Sequence, residues 1–239
     1  MVLNEVPVGG FVSFNRYKWL KTNEAGDLFC LDTAFVERYD YPEYNSPSRD
    51  RRNHGNNFFP HSNVFQKLNE ENIFRFQKLH QYDEVPYIRE QEGFLYGFSQ
   101  SEQAALQTVT HTVAVPPGSR REFGKTYQFE SKVWLPSAGE FGAEGYEVEG
   151  DTSMALRRVW DHLRTYETIL TRSGTKDAAH VYSMNSYGLA IEPCDLAQRI
   201  HPMIRPDQGL EVDFDPNNNV YIVCLKEKFE DDILALLEE

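Results

Sequence analysis

The stretch HPMIRPDQGLEV, residues 201–212, sets a turn signal, PDQG at 206–209, between two short runs in which apolar and polar residues alternate. It closes a long tract with almost no helical periodicity. ETILTRSG, HVYSMNSYGLAIEP, HPMIRP, GLEVDF and NVYIVCL follow one another there, broken by Gly, Pro and Asn. Period-two pieces of this length, separated by breakers, predict short strands joined by turns. The question is which earlier segments those strands pair with.

Upstream, GGFVSFNRYKWLKTNEAGDLFCLDTAFVERYDY predicts a hairpin, with strands over 11–19 and 28–36 and NEAG at 23–26 as its turn. SNVFQKLNEENIFRFQKL, 62–79, predicts a helix in at least its first part, capped by Ser62 or Asn63. SQSEQAALQTVT, 99–110, offers Ser99 with Glu102 three residues on, the capping-box pattern. HTVAV and TYQFESKVWLP read as strands. TSMALRRVWDHLRTY, 152–166, carries Leu156, Val159, Trp160 and Leu163 at helical spacing. The Gly- and Glu-rich run 137–152 is expected to be an exposed loop, and SPSRDRRNHGNN, 46–57, a solvated one. The tail EKFEDDILALLEE predicts an amphipathic helix over 226–239, with Phe229, Ile233, Leu236 and Leu237 on one side. Residues 1–225 are expected to form one domain and that helix an assembly contact.

Composition narrows the function classes. With 24 basic and 37 acidic residues in 239, the net charge is −13. That balance repels phosphate backbones and anionic lipid, so no nucleic-acid partner is expected. Three cysteines, Cys30, Cys194 and Cys224, are odd in number and widely spaced, which implies neither a disulfide framework nor a paired zinc site. MVLNEVPVGG has no basic start and no apolar run of signal-peptide length, and nothing later approaches a membrane span. Synthesis in a cytoplasm, without signal-peptide export or membrane insertion, is the expectation.

The motifs that suggest chemistry fail in detail. GSRREFGKT puts five residues between Gly118 and Gly124 where a P-loop needs four, and a strand follows it. DFDPNNN spaces Asp213, Asp215, Asn217 and Asn219 as a calcium loop would, yet Asn218 stands at the glycine position and Cys224 at that of the bidentate Glu. IEPCD, 191–195, approaches the Glu-Pro-Asn calcium and sugar site of C-type lectins, with Cys194 in place of the amide. Seven scattered histidines define no ligand set, and no nucleophile elbow occurs. No metal, no cofactor and no catalytic residue is expected.

Several pieces taken in order resemble the domain family of unknown function numbered six-two-seven-three, found in bacterial surface and phage proteins. GGFVSFNRYKWL is similar to its opening strand, SNVFQKLNEENIF and FSQSEQAAL to its two helices, and SKVWLPSAGEFG to its next segment. YETILTRSGTKDAAHVYSMNSYG and QRIHPMIRPDQGLEV are similar to its closing stretches; the family's proline after the position of Ser173 is absent. The resemblance implies an α+β, C-type-lectin-like fold, related to the formylglycine-generating enzymes. Its N- and C-terminal strands would be paired, with two helices and a long irregular loop region feeding a small second sheet. HPMIRPDQGLEV would then be the turn into a closing strand, 220–225, which pairs with the first hairpin.

The functional expectation is a non-enzymatic bacteriophage virion component: a head decoration, fibre or tail-tip protein with a lectin-like surface-binding domain. Its partners would be other virion proteins or its own copies, and a host-surface glycan or protein. The binding surface is expected at 140–150 or 182–195, where Tyr182, Asn185, Tyr187 and Glu192 offer stacking rings and polar groups. Two alternatives stand beside it: a cytoplasmic bacterial interaction module, and an oxidase of the formylglycine-generating type that would need Cys194 and Cys224 to meet.

Overall fold

The computed structural model describes residues 1–77, 90–115, 125–161, 168–177 and 179–216. In chain order the elements are β1 (Phe11–Phe14), β2 (Tyr17–Lys21), β3 (Leu28–Cys30), β4 (Phe35–Arg38), α1 (Arg49–His54), α2 (Asn63–Asn69), β5 (Ile73–Phe74), β6 (Gln91–Glu92), α3 (Gln100–Ala105), β7 (Val109–Ala114), β8 (Thr126–Ser131), β9 (Val133–Trp134), α4 (Met154–Asp161), β10 (Thr168–Gly174), β11 (His180–Asn185), β12 (Gly188–Pro193), β13 (Ala197–Ile200), β14 (Met203–Ile204) and β15 (Asp213–Asp215). The chain is α+β.

Its centre is a six-stranded sheet in the order β15-β1-β2-β3-β14-β9, antiparallel throughout. The opening stretch of 201–212 therefore lies in the sheet itself: Met203 and Ile204 pair with Phe29 and Leu28 on one side and with Trp134 and Val133 on the other. Trp19, Leu20, Phe29, Trp134, Met203 and Ile204 are all buried here. Each such side chain contributes about 1.5–3 kcal/mol by leaving water. β10, β11 and β12 form a separate three-stranded sheet, and β13 pairs with β4, β5 with β6 and β7 with β8.

Several sequence expectations change. Residues 11–19 are not one strand but most of a hairpin, because the chain reverses at Asn15 and Arg16. Asn15 takes a φ of 54°, a left-handed conformation that asparagine tolerates. The Trp19 indole then donates to the Phe14 carbonyl across the turn, at 2.9 Å. The segment 28–36 likewise divides, β3 staying in the large sheet and β4 leaving it for β13. The helix from Ser62 stops at Asn69, whose side-chain amide donates to the Phe65 and Val133 carbonyls, and Ile73–Phe74 is already strand. The Ser99–Glu102 capping box forms at the start of α3.

Two expected loops are structured. Within 46–57, Ser48 caps α1, and Arg51 is buried 3.6 Å from the equally buried Glu43. Within 137–152, Ser137, Ala138, Phe141 and Glu149 are buried. In both, charge that composition marks as exposed is buried against a partner outside the segment: Glu43 for Arg51, and Arg172 for the 137–152 run. Among the described residues there are four α-helices rather than the two that the resemblance implies: α2, α3 and α4 fall on segments read as helical, and α1 does not. The strand that pairs with β1 is β15, which begins within the expected strand piece GLEVDF. The expected strand 220–225 and the helix bearing Phe229, Ile233, Leu236 and Leu237 lie outside the described residues.

Candidate functional site

The folded 137–153 loop is held by a polar knot that starts at Arg172 on β10. Its guanidinium forks onto Glu140, Nη1 to Oε2 at 3.0 Å and Nη2 to Oε1 at 3.2 Å, and also donates to the Leu135 carbonyl at 2.7 Å and to the Glu149 carbonyl. Glu140 in turn accepts from the Ser137 backbone N–H at 2.7 Å, while its own N–H donates to the Ser137 hydroxyl. The Ser173 hydroxyl donates to the Glu149 carboxylate and accepts from the Ala138 N–H. The turn is tight enough to require Gly139, where a Cβ would stand 2.1 Å from the Tyr146 carbonyl oxygen.

A second charged pair lies nearby. Arg205, just after β14, forks onto Asp27 through Nε and Nη2. Asp27 also accepts from the Asn23 amide at 2.7 Å. Burying such pairs is tolerable because each partner is matched in geometry and charge, and losing either would strand the other.

Between these two knots opens a cleft of about 710 Å³. It is lined by Asn23, Glu24, Ala25 and Asp27, by residues 148–154, and by the β7 residues Val109, Thr110, His111 and Thr112. Of its lining, Met203, Leu156, Arg172 and His111 are buried, whereas Glu24, Val148, Asp151 and Met154 are exposed.

His111 is 7% exposed, its ring lies 4.4 Å from that of Trp134, and its Nε2 has no hydrogen-bond partner. Burial, reinforced by the Arg172 and Arg205 charges, pushes its pKa down to about 3, so the imidazole is neutral at ordinary pH. Burial raises the Glu149 carboxyl above its usual value, against the opposing pull of the Ala114 N–H, the Ser173 hydroxyl and Arg172.

The residues expected to bind have mixed placements. Glu140 and 148–150 line the cleft. Tyr182 on β11 meets Tyr146 edge-on, ring centroids 5.2 Å apart, with the two hydroxyls hydrogen-bonded. Asn185 ends β11, where its carbonyl accepts from the Trp160 indole and its side chain from the Tyr187 N–H. Tyr187 is 82% exposed in the turn before β12. Glu192 pairs with Val181 and Tyr182 with Ile191, so Tyr182 occupies one face of the hairpin and Asn185 and Glu192 the other. The hairpin does not gather the four onto one surface.

Sequence reading passed over Asp27, His111, Arg172 and Arg205 as site residues. Three of the cleft's charges sit inside the quoted family-like segments: Glu140 in SKVWLPSAGEFG, Arg172 in ILTRSG and Arg205 in HPMIRP. A charge embedded in an apolar run, where burial is expected, is the signal that was available. Those charges now share one cleft. Residues 26–207 match the family described as Domain of unknown function (DUF6273).

The chain belongs to this family. The matched DUF6273 region contains both forks, from Asp27 to Arg205. No curated protein and no solved structure matches the chain. Among the described residues no group of three or more His, Cys, Asp or Glu side chains converges to hold a metal, and no helix is long and apolar enough to cross a membrane.

Proposed function

We propose that this DUF6273 chain is a non-enzymatic binding module with a C-type-lectin-like arrangement, carried on a bacteriophage particle, that takes its ligand in the Asp27–Arg205 cleft. The observation that carries the reading is how the cleft's ionisable groups are committed. Asp27 and Glu140 are each held by an arginine through two charge-assisted bonds, which fixes the position of the carboxylate. His111, with a pKa near 3, is far from the value a general base needs at neutral pH. Groups so arranged make a rigid recognition surface and poor proton carriers.

The return of β15 to β1 supports the lectin-like arrangement, because that fold is closed by its terminal strands. Burial pushes the thiols of Cys30 and Cys194 up, which disfavours the reactive thiolate that oxidase chemistry requires. The virion setting rests on the family's occurrence in phage and bacterial surface proteins. Within it, the segment bearing Phe229, Ile233, Leu236 and Leu237 serves assembly with other virion proteins or copies of the chain, and the outward ligand is a host-surface glycan or protein.

Two measurements test this. Mass spectrometry of purified particles should find the chain, and its absence removes the virion setting. Thr112→Phe, which adds bulk at a position lining the cleft, should lower adsorption to host cells at least tenfold while leaving the circular dichroism spectrum unchanged. Undiminished adsorption would remove the cleft as the recognition site.

A further inference from the structure

The cleft's interior has more free donors than free acceptors. On the acceptor side, Glu140 is engaged by Arg172 and the Ser137 N–H, Asp27 by Arg205 and Asn23, and Glu149 by the Ala114 N–H and the Ser173 hydroxyl. The donors are less fully used. Arg172 places both amino groups on protein oxygens, but its Nε, in a side chain 1% exposed, has no partner. Arg205 uses Nε and Nη2 on Asp27, which leaves Nη1 for another acceptor. His111 lines the same space with its Nε2 unpartnered. A neutral imidazole brings one N–H and one lone pair, so the surplus is of donors.

The exposed part of the lining has the opposite character. Glu24 and Asp151 line the cleft from separate segments, both are exposed, and neither makes an ion pair among the described residues. A ligand that fits both levels carries acceptor oxygens with negative charge at its inner end and a positive charge at its outer end. A guanidinium amino group satisfies a carboxylate with charge-assisted bonds roughly twice as strong as neutral ones.

We infer that the cleft binds a small zwitterion of the amino-acid or short-peptide class, its carboxylate inward on Arg205 Nη1 and His111 and its ammonium outward between Glu24 and Asp151. The inference rests on the reading of the cleft as the ligand site and names the chemistry it takes. A space of about 710 Å³ is within the ordinary range for small-ligand pockets and accommodates a dipeptide.

Three related probes separate the two ends: glycylglycine, its C-terminal amide, and its N-acetyl derivative. Titration is followed by calorimetry and by the fluorescence of Trp134, which the His111 ring couples to the cleft. Glycylglycine should bind, the amide should bind about tenfold or more weakly, and the acetylated form should be weakened by a smaller factor, about threefold. Arg205→Lys keeps a cation against Asp27 but loses the fork and the free amino group, and should cost glycylglycine about tenfold, with circular dichroism to check that the variant is folded. Should that variant unfold, Glu24→Gln with Asp151→Asn supplies the second measure by erasing the preference for the free ammonium. Equal binding of glycylglycine and its amide overturns the carboxylate assignment, and equal binding of the acetylated form overturns the ammonium assignment.

The adsorption test distinguishes the underlying readings. If Thr112→Phe abolishes adsorption but no probe binds, the ligand class is wrong and the cleft stands. If the probes bind as expected and adsorption is untouched, the zwitterion site stands and the recognition role falls. If the probes do not bind and adsorption is untouched, both fall.

Discussion

The six-stranded sheet and the 137–153 loop are both buried, but different forces bury them. Around Trp19, Leu20, Phe29 and Ile204 the sheet is apolar, and its backbone groups satisfy one another along the ladder. The loop is packed around ions: Arg172 ties together Leu135, Glu140 and Glu149, while Ser173 joins Ala138 to Glu149. An apolar core tolerates a lost methylene at the cost of the area and cavity involved. A polar knot in low dielectric fails more abruptly, since removing one member leaves several others unsatisfied.

The strongest way to break this comparison is to remove one anchor from each region. Arg172→Met should destabilise the protein by about 3–5 kcal/mol, because it strands the Glu140 charge and the Leu135 and Glu149 carbonyls. Leu20→Ala should cost about 2–5 kcal/mol. Urea denaturation measures both. Hydrogen exchange should show the Arg172→Met effect concentrated at 137–153 and the Leu20→Ala effect spread over the sheet. A uniform loss of protection in both variants would erase the distinction.

The next effect concerns pH. His111 has a folded-state pKa depressed to about 3, so between that value and the ordinary 6.5 the unfolded chain binds more protons. Its contribution to stability is therefore complete above about pH 6.5 and is lost as pH falls toward 3. Glu149, raised in the folded state, acts in the reverse direction: its contribution is complete below the unfolded carboxyl value and is lost as pH rises through the folded one. His111→Phe should flatten the acid limb of a stability-against-pH curve, retaining on the order of a few kcal/mol at pH 4 that the parent chain loses. A limb of unchanged slope would show that the loss arises elsewhere.

Local structure away from both regions should matter less. Ser99→Ala removes the cap from α3 and should cost about 1 kcal/mol. Tyr187→Ala, at a fully exposed turn, should change stability by less than about 0.5 kcal/mol. A large loss at Tyr187 would mean that its ring is covered in solution, and analytical ultracentrifugation would then show an oligomer.

What the sequence made legible follows the same division. The capping box at Ser99 and Glu102 could be read because both partners lie within one turn. Alternation revealed the β-rich closing tract for a similar reason. The reversal at Asn15 escaped notice because its turn-forming Asn is not followed by the Gly that marks a two-residue hairpin turn most strongly. The burial of Glu149 was invisible because its partners, Arg172 and Ser173, lie 23 and 24 positions further along the chain. The cleft was half visible. The segment 140–150 was expected to hold a binding surface, but the cleft also depends on Asp27 and Arg205, 178 positions apart, and no local pattern reports such a meeting.

That distance also bears on how the protein is made. β14 sits between β3 and β9, yet Met203 leaves the ribosome about 170 residues after its partner Phe29. At roughly 5–20 residues per second, the edge of β3 stays open for about 10–35 s of synthesis. Throughout that interval β3 presents apolar side chains and one unsatisfied backbone edge to solvent. The nascent chain is thus a natural client for holding chaperones, and its yield should depend on them more than on the stability of the finished fold.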